Sequence, residues 1–134
     1  MQKSSTPPVS VTIITFIVLC MTSWNAIRTY SAIVNWQILA EFKANPAYIL
    51  ATGLFWFITG LWLIGCIWKK VSYTFRASLA VAGLYYLWYW CDRLYIQTSP
   101  APNVLFSAVF STVLLVVYSI ILSIPASRAF LNKE

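Results

Sequence analysis

The chain has 134 residues, of which 60% are hydrophobic, 17% aromatic and only 9% charged, with a formal net charge of +6. A soluble domain carries about 25% charged residues, so this composition excludes a soluble globular surface and an intrinsically disordered chain. The chain contains no histidine, which excludes His-ligated haem, histidine-bearing metal sites and histidine-based catalytic triads. The sequence therefore predicts an integral membrane protein that forms one domain over residues 1–134.

Four apolar stretches are each long enough to cross a bilayer, since a spanning helix needs about 20 apolar residues. They cover about residues 9–27, 46–68, 72–95 and 103–124. None of them alternates with period two, so they predict helices rather than the strands of a barrel. The predicted fold is an all-α, up-down-up-down bundle of four transmembrane helices.

The longest connection between these stretches covers residues 27–45. It is rich in helix-forming residues and ends at Asn45-Pro46, where a proline disfavours a preceding helical residue. The stretch predicts a short helical connection on the extracytoplasmic side. Two arrangements are open, a continuation of the first helix or a separate helix on the outer surface.

The distribution of basic residues predicts the orientation, because cytoplasmic loops carry an excess of Lys and Arg. With four spans, six basic residues fall on one side and three on the other. The bundle is therefore predicted to lie in the plasma (inner) membrane with both termini cytoplasmic. Topology explains much of the positive charge, and no basic stripe indicates a nucleic-acid partner. The six residues are Lys3, Lys69, Lys70, Arg76, Arg128 and Lys133, and the three are Arg28, Lys43 and Arg93.

A charge network is predicted at the extracytoplasmic end of the bundle. Asp92 is the one acid inside a predicted span, and an ionisable residue in such a position is costly unless it is paired. Arg28 ends the first span on the same side, so we expect Arg28 to pair with Asp92 and Glu41 to pair with Arg93. The alternative is a proton- or ion-coupling role for Asp92.

The outer end of the third predicted span is unusually aromatic. Tyrosine and tryptophan favour the membrane–water interface, but here they occupy every side of the helix, so some must face other helices or a groove. Two interpretations are open: an interfacial belt combined with helix packing, or a surface that contacts a lipid, quinone or pigment. The residues are Tyr85, Tyr86, Trp88, Tyr89, Trp90 and Tyr95.

Small residues recur on the predicted helices. Gly53 and Gly60 are seven residues apart, which places them on one face of the second span and predicts a close helix contact. The third and fourth spans carry further small or hydroxyl residues, for which helix packing is the main interpretation and a polar pore lining the alternative. These are Ser78, Ala82, Gly83, Ser107 and Ser111.

No motif in the chain indicates catalysis. There is no phosphate loop, zinc motif, nucleotide fingerprint or nucleophile elbow, and Cys20, Cys66 and Cys91 are isolated. We therefore expect no enzyme activity, no cofactor and no metal. The predicted function is that of an accessory or scaffold subunit whose partners are the lipid bilayer and other membrane-protein subunits. The alternative is a self-associating pore or small transporter, which leaves a homo-oligomer open.

Overall fold

The computed structural model describes residues 6–97 and 103–131. Within these two ranges every regular element is helical and no strand occurs, which confirms the all-helical prediction. The elements are α1 (Val9–Val34), α2 (Trp36–Glu41), α3 (Pro46–Lys69), α4 (Thr74–Cys91), a π-helical turn (Asp92–Ile96), α5 (Val104–Ser123) and α6 (Pro125–Leu131).

The boundaries of α3 follow from local chemistry. Pro46 occupies the first turn, and the Asn45 side chain accepts a hydrogen bond from the Tyr48 backbone N–H at 3.1 Å, which satisfies one of the orphan donors of the helix start. Lys70 ends the helix in the left-handed conformation, with φ 52°. A left-handed residue is the common way to terminate a helix, although glycine usually supplies it.

Three helices, α1, α3 and α5, are long and apolar enough to cross a membrane, with mean hydropathies of 1.7, 1.9 and 2.5 over their apolar windows. The sequence predicted four spans. The predicted third span corresponds to α4 and the π turn, and among the described residues α4 is not one of the three candidate spans. Its 18 residues include five tyrosines and tryptophans and Arg76, which lower its hydropathy relative to the aliphatic α5.

The tightest contact in the fold is the antiparallel packing of α1 against α3. Gly53 and Gly60 lie on this contact, and both are buried. A Cβ built on Gly53 would lie 2.7 Å from the Thr29 hydroxyl, and one built on Gly60 would overlap the Thr22 hydroxyl. Only glycine allows the two backbones to approach this closely, so the predicted glycine contact of the second span is present.

One end of the bundle holds a packed apolar core. This core end comprises the start of α1, the end of α3, the start of α4 and the end of α5. Ser127 of α6 donates a hydrogen bond to the Ser10 hydroxyl at 2.7 Å and is fully buried. This bond joins α6 to the start of α1. The core residues are Val11, Ile14, Val18, Leu63, Ile67, Tyr118, Leu122 and Leu131.

The opposite end, which we call the ion-pair end, carries the connection between α1 and α3. The first predicted span stopped near residue 27, but α1 continues to Val34, so the first part of this stretch continues the first helix. A separate short helix, α2, then follows and has no buried residue. The connection is therefore helical, as predicted.

Candidate functional site

An ion pair lies between α1 and the π turn at the ion-pair end. The Arg28 guanidinium is 3.5 Å from the Asp92 carboxylate, and the two side chains are 21% and 5% exposed. The same Arg28 nitrogen lies 3.5 Å from the Thr52 hydroxyl, and its guanidinium sits 5.0 Å from the centre of the Trp88 ring. The pair expected from the sequence is therefore present, and it joins α1, α3 and α4.

The π turn holds the Asp92 carboxylate in position. The second carboxylate oxygen accepts a hydrogen bond from the Gln97 side-chain amide at 3.0 Å, and the Gln97 backbone N–H bonds to the Asp92 carbonyl at 3.0 Å. Both contacts join residues five apart, the spacing of a π turn. Widening the helix in this way turns Asp92 and Arg93 together into the bundle, where they are 3% and 8% exposed.

Arg93 bridges α4 and α5 instead of joining the predicted pair with Glu41. Its guanidinium donates to the Tyr89 hydroxyl at 3.2 Å and to the Asn103 side-chain oxygen at 3.0 Å. Glu41 is exposed at the end of α2, and among the described residues the ion pair is the one between Arg28 and Asp92. The expected Glu41–Arg93 pair is wrong because α2 lies outside the bundle and exposes its carboxylate.

An aromatic cluster packs beneath the ion pair. The rings of Trp56, Tyr85 and Trp88 are 4.9 to 5.5 Å apart, distances typical of edge-to-face and tilted ring contacts. Trp88 donates its indole N–H to the Tyr48 hydroxyl at 3.2 Å, so the cluster joins α3 to α4. Trp56 is 5% exposed, and it belongs to this cluster although the aromatic stretch lies on another helix.

The remaining residues of the aromatic stretch do not form one surface. Tyr86 bonds to the Thr112 hydroxyl of α5 at 3.0 Å, and Tyr89 packs against Trp90. Tyr95 is 84% exposed, so it contributes to no cluster. Contacts with another helix therefore support helix packing for Tyr85, Tyr86 and Trp88, whereas Tyr89 and Trp90 contact each other within α4.

Asn25 is a polar residue of the site that the sequence reasoning missed. It is completely buried on α1 and donates its side-chain amide to the Met21 carbonyl at 2.8 Å and to the Tyr85 hydroxyl at 3.3 Å. Its side-chain oxygen has no hydrogen-bond partner among the described residues. An amide inside an otherwise apolar predicted span is the signal that could have identified it.

A cavity of about 620 Å³ lies between α1, α4 and α5. Its wall includes Tyr85 and Tyr89, so it is continuous with the aromatic cluster and reaches the Arg93 contact. Four of the residues predicted for helix packing, Ser78, Ala82, Ser107 and Ser111, also line it. These four therefore border a space between helices and not a tight backbone contact.

Ser78 and Gly83, two residues of the small-residue prediction, differ in their surroundings. Ser78 is completely buried beside Tyr118, without hydrogen-bond geometry to any described residue. A Cβ on Gly83 would meet nothing within 4 Å. The expectation that Gly83 allows a close helix contact is therefore wrong, since its side of α4 faces open space.

Potential metal ligands and cysteines do not cluster within the described ranges. No group of three or more potential metal-ligating side chains occurs there, and the three cysteines are unpaired. The polar groups of the site instead form contacts between helices. Comparison of the chain with known protein families, with curated proteins and with solved structures found no match.

Proposed function

We propose that this protein is a non-catalytic subunit of a larger membrane complex and spans the membrane four times. The fourth span in this proposal is α4 with its π turn. From Thr74 to Ile96 the two cover roughly 33 Å at about 1.5 Å per residue, and a hydrocarbon core is about 30 Å thick. Charged residues near the ends of α4 are Arg76, Asp92 and Arg93, so its central part is uncharged.

The proposed orientation places the core end in the cytoplasm of a plasma (inner) membrane. Lys69, Arg76 and Arg128 are exposed at the core end. At the opposite end Arg93 is buried and Arg28 is paired, which leaves Lys43 as the exposed basic residue among those described there. This asymmetry supports the cytoplasmic assignment of the core end.

The main support for the subunit role is that most of α5 is exposed on the outside of the bundle. Only 6% of its apolar window is buried, compared with 28% for α1 and α3. On its outer face, Ser119 and Ser123 lie four residues apart within a shallow groove edged by Leu115, Val116 and Ile120. Small residues at this spacing let a second transmembrane helix approach closely, so the proposed partner is a membrane helix of another subunit.

One of the small-residue faces that a self-associating pore could use is already occupied within the bundle. The Gly53 and Gly60 face, together with Thr22 and Thr29, is used in the contact between α1 and α3. Those hydroxyls also bond to carbonyls of their own helix, at 2.7 and 2.8 Å. A pore lining would need hydroxyls directed at water, and these are not available for one.

Co-purification tests the subunit role. The tagged full chain is extracted in digitonin, and we expect stoichiometric foreign membrane proteins to be retained. Ser119→Trp should release them, because the bulky ring blocks the groove, whereas Ser23→Trp on the exposed side of α1 should not. A pure homo-oligomer that conducts ions in liposomes would overturn the proposal, and so would equal retention in the two variants.

Cysteine accessibility tests the topology. In a chain whose three cysteines are replaced by alanine, Glu41→Cys and Ser72→Cys introduce one exposed thiol at each end. We expect an impermeant maleimide added outside intact cells to label the first variant and not the second. Labelling of both or of Ser72→Cys alone would contradict the proposed arrangement.

A further inference from the structure

The cavity between α1, α4 and α5 has the volume of a ligand site and lies around the middle of the proposed span formed by α4 and its π turn. Its volume of about 620 Å³ falls within the roughly 300–1,000 Å³ of small-molecule sites. Along α4 it extends from Ser78 to Tyr89, which begins roughly 6 Å after Thr74 and ends roughly 10 Å before Ile96. An occupant therefore lies within the hydrocarbon, away from the headgroups at both surfaces.

The cavity opens sideways, towards the surroundings of the bundle. Its back wall is α4, where Val81 and Ala82 are half-buried. Its two borders are α1 and α5, where Phe16 and Phe106 are 66% and 68% exposed. In a bilayer this opening faces lipid, so an occupant enters from the membrane and not from water.

The described residues that line the cavity include no acid and no base. Arg93 contacts the lining residue Tyr89, but Arg93 itself is not part of the wall. An ionised group is costly to bury in an apolar site unless it is paired, so the lining favours an uncharged occupant.

Aromatic rings from all three helices form much of the wall. Eight of the lining residues are Phe, Tyr or Trp. On α5, Phe106 and Phe110 are stacked with their ring centres 5.9 Å apart and an angle of 13° between the planes. From Phe106 to Tyr118 the wall of α5 extends roughly 18 Å at about 1.5 Å per residue. Aromatic faces pack well against other flat π systems, so the wall favours an elongated, unsaturated molecule.

A pair of buried hydroxyl groups marks the end of the cavity nearest the core end. Ser78 and Tyr118 both line the cavity, lie beside each other, and are 0% and 4% exposed. The Ser78 oxygen has no hydrogen-bond partner among the described residues, and such a buried group is costly. A carbonyl oxygen that accepts from the Tyr118 hydroxyl would leave the Tyr118 oxygen to accept from Ser78, which satisfies both groups.

We infer that this cavity binds one molecule of an uncharged, unsaturated lipid with a carbonyl-bearing ring, in chemical class a prenyl quinone, whose carbonyl oxygen accepts from Tyr118. The uncharged lining, the depth within the hydrocarbon and the lateral opening favour a neutral lipid over a phospholipid, whose headgroup stays at the surface. The aromatic wall fits the unsaturated tail. The inference uses the four-span arrangement and is independent of the subunit role, so failure of either is distinguishable.

Native mass spectrometry of the full chain released from detergent micelles tests the class of lipid. The probes are a fully substituted benzoquinone with two isoprene units, oleyl alcohol, which is neutral but has no ring, and dioleoyl-phosphatidylcholine. We expect one quinone per chain, retained about fivefold more strongly than oleyl alcohol, the factor that corresponds to about 1 kcal/mol for an aromatic contact. Equal retention of quinone and alcohol would overturn the ring, and stronger retention of phosphatidylcholine would overturn the neutral lipid.

Two native cysteines test the location in the unmodified chain. Cys20 lines the cavity, whereas Cys91 is exposed outside it. With the same quinone at about ten times its dissociation constant, we expect N-ethylmaleimide to label Cys20 about tenfold more slowly and Cys91 at an unchanged rate, as measured by peptide mass spectrometry. Unchanged labelling of Cys20, or equal slowing at both cysteines, would overturn the cavity as the site.

Two alanine variants test the same point by steric exclusion. Ala82→Phe fills the cavity from its back wall, and we expect it to lower quinone retention at least about tenfold. Ala80→Phe places the same ring on the exposed side of α4, outside the cavity, and should leave retention unchanged. Equal effects of the two variants would contradict the inference, and the labelling of Cys20 decides if Ala82→Phe does not fold.

Two tyrosine variants test the position of the carbonyl group. Tyr118→Phe removes only the hydroxyl, and we expect quinone retention to fall about threefold, which corresponds to the average of about 0.6 kcal/mol for a hydrogen bond in a membrane bundle. Tyr95→Phe removes a hydroxyl from a side chain that is 84% exposed and outside the cavity, and should have no effect. Unchanged retention in Tyr118→Phe would overturn the assignment of the carbonyl to this end.

Discussion

The two ends of this bundle are stabilised by different physics. At the core end, aliphatic side chains such as Ile14, Leu63 and Leu122 are at most 1% exposed and fill the space between α1, α3 and α5. At the ion-pair end the helices are joined by Arg28, Asp92 and a cluster of aromatic rings. In lipid, apolar packing provides cohesion without much direction, whereas charged and hydrogen-bonded groups specify which helices meet.

The different packing of the two ends also accounts for the position of the cavity between α1, α4 and α5. The apolar core closes the space between α1 and α5 at one end of the bundle, and Tyr118 and Leu122 belong to it. Towards the other end, α5 is attached through the Tyr86–Thr112 and Arg93–Asn103 contacts. These hydrogen bonds between long side chains keep α4 and α5 apart, which leaves the cavity between them.

Breaking the ion pair should have the largest effect on stability. We expect Asp92→Asn and Arg28→Ala each to lower the free energy of unfolding in detergent by about 3 kcal/mol, because each leaves a buried group unpaired. The double variant should cost less than the sum, since both changes remove one interaction. Circular dichroism during titration with a denaturing detergent measures this, with Lys43→Ala as the exposed control. If the double variant loses the sum of the two single losses in unfolding free energy, Arg28 and Asp92 do not stabilise the bundle through their interaction.

Truncating the core should come next. Leu122→Ala leaves a cavity at a completely buried position, and we expect a loss of about 2–3 kcal/mol in the same titration. Combined with Asp92→Asn, its cost should add within about 0.5 kcal/mol, because the two sites share no partner. Val117→Ala, at an exposed position of α5, is the control. Strong non-additivity would mean that the two ends are one cooperative unit.

Enlarging the glycine contact should cost somewhat less. Gly60→Leu forces α1 and α3 apart, since a Cβ alone already overlaps Thr22, and overpacking typically costs about 1–3 kcal/mol. Gly83→Leu is the matched control, because its Cβ meets open space. Comparing the two variants for folded yield and unfolding midpoint checks the prediction, and an equal loss in both would argue against the α1–α3 contact.

Removing the hydrogen bond between α4 and α5 should have the smallest effect. Thr112→Val deletes the partner of Tyr86 with little change in volume, and we expect a loss of about 0.6 kcal/mol, the average measured for such bonds in membrane bundles. Thr59→Val is the control, because Thr59 bonds to the Phe55 carbonyl of its own helix. A loss above about 2 kcal/mol would mean that α5 depends on this bond more than its other contacts indicate.

Several parts of the candidate site could be predicted because they depend on sequence position alone. The spacing of Gly53 and Gly60 identified a helix face. Arg28 ends the apolar stretch of the first predicted span and Asp92 lies near the end of the third, so both were expected on the same side of the bundle. The predictions for Glu41 and Gly83 were wrong because they needed the path of α2 and the rotation of α4. Asn25 was missed, since a single amide in an apolar run does not reveal its partner on another helix.

The sequence by itself determined the helical class, because a chain this apolar must satisfy its backbone hydrogen bonds within each segment. It also determined where α3 begins and which of its faces makes a close helix contact. Only the tertiary structure decided how α4 and α5 are placed. Their surfaces are apolar or aromatic all round, so periodicity selects no face, and the π turn at Asp92 depends on contacts with Gln97 and Arg28. The cavity between α1, α4 and α5 arises from that placement.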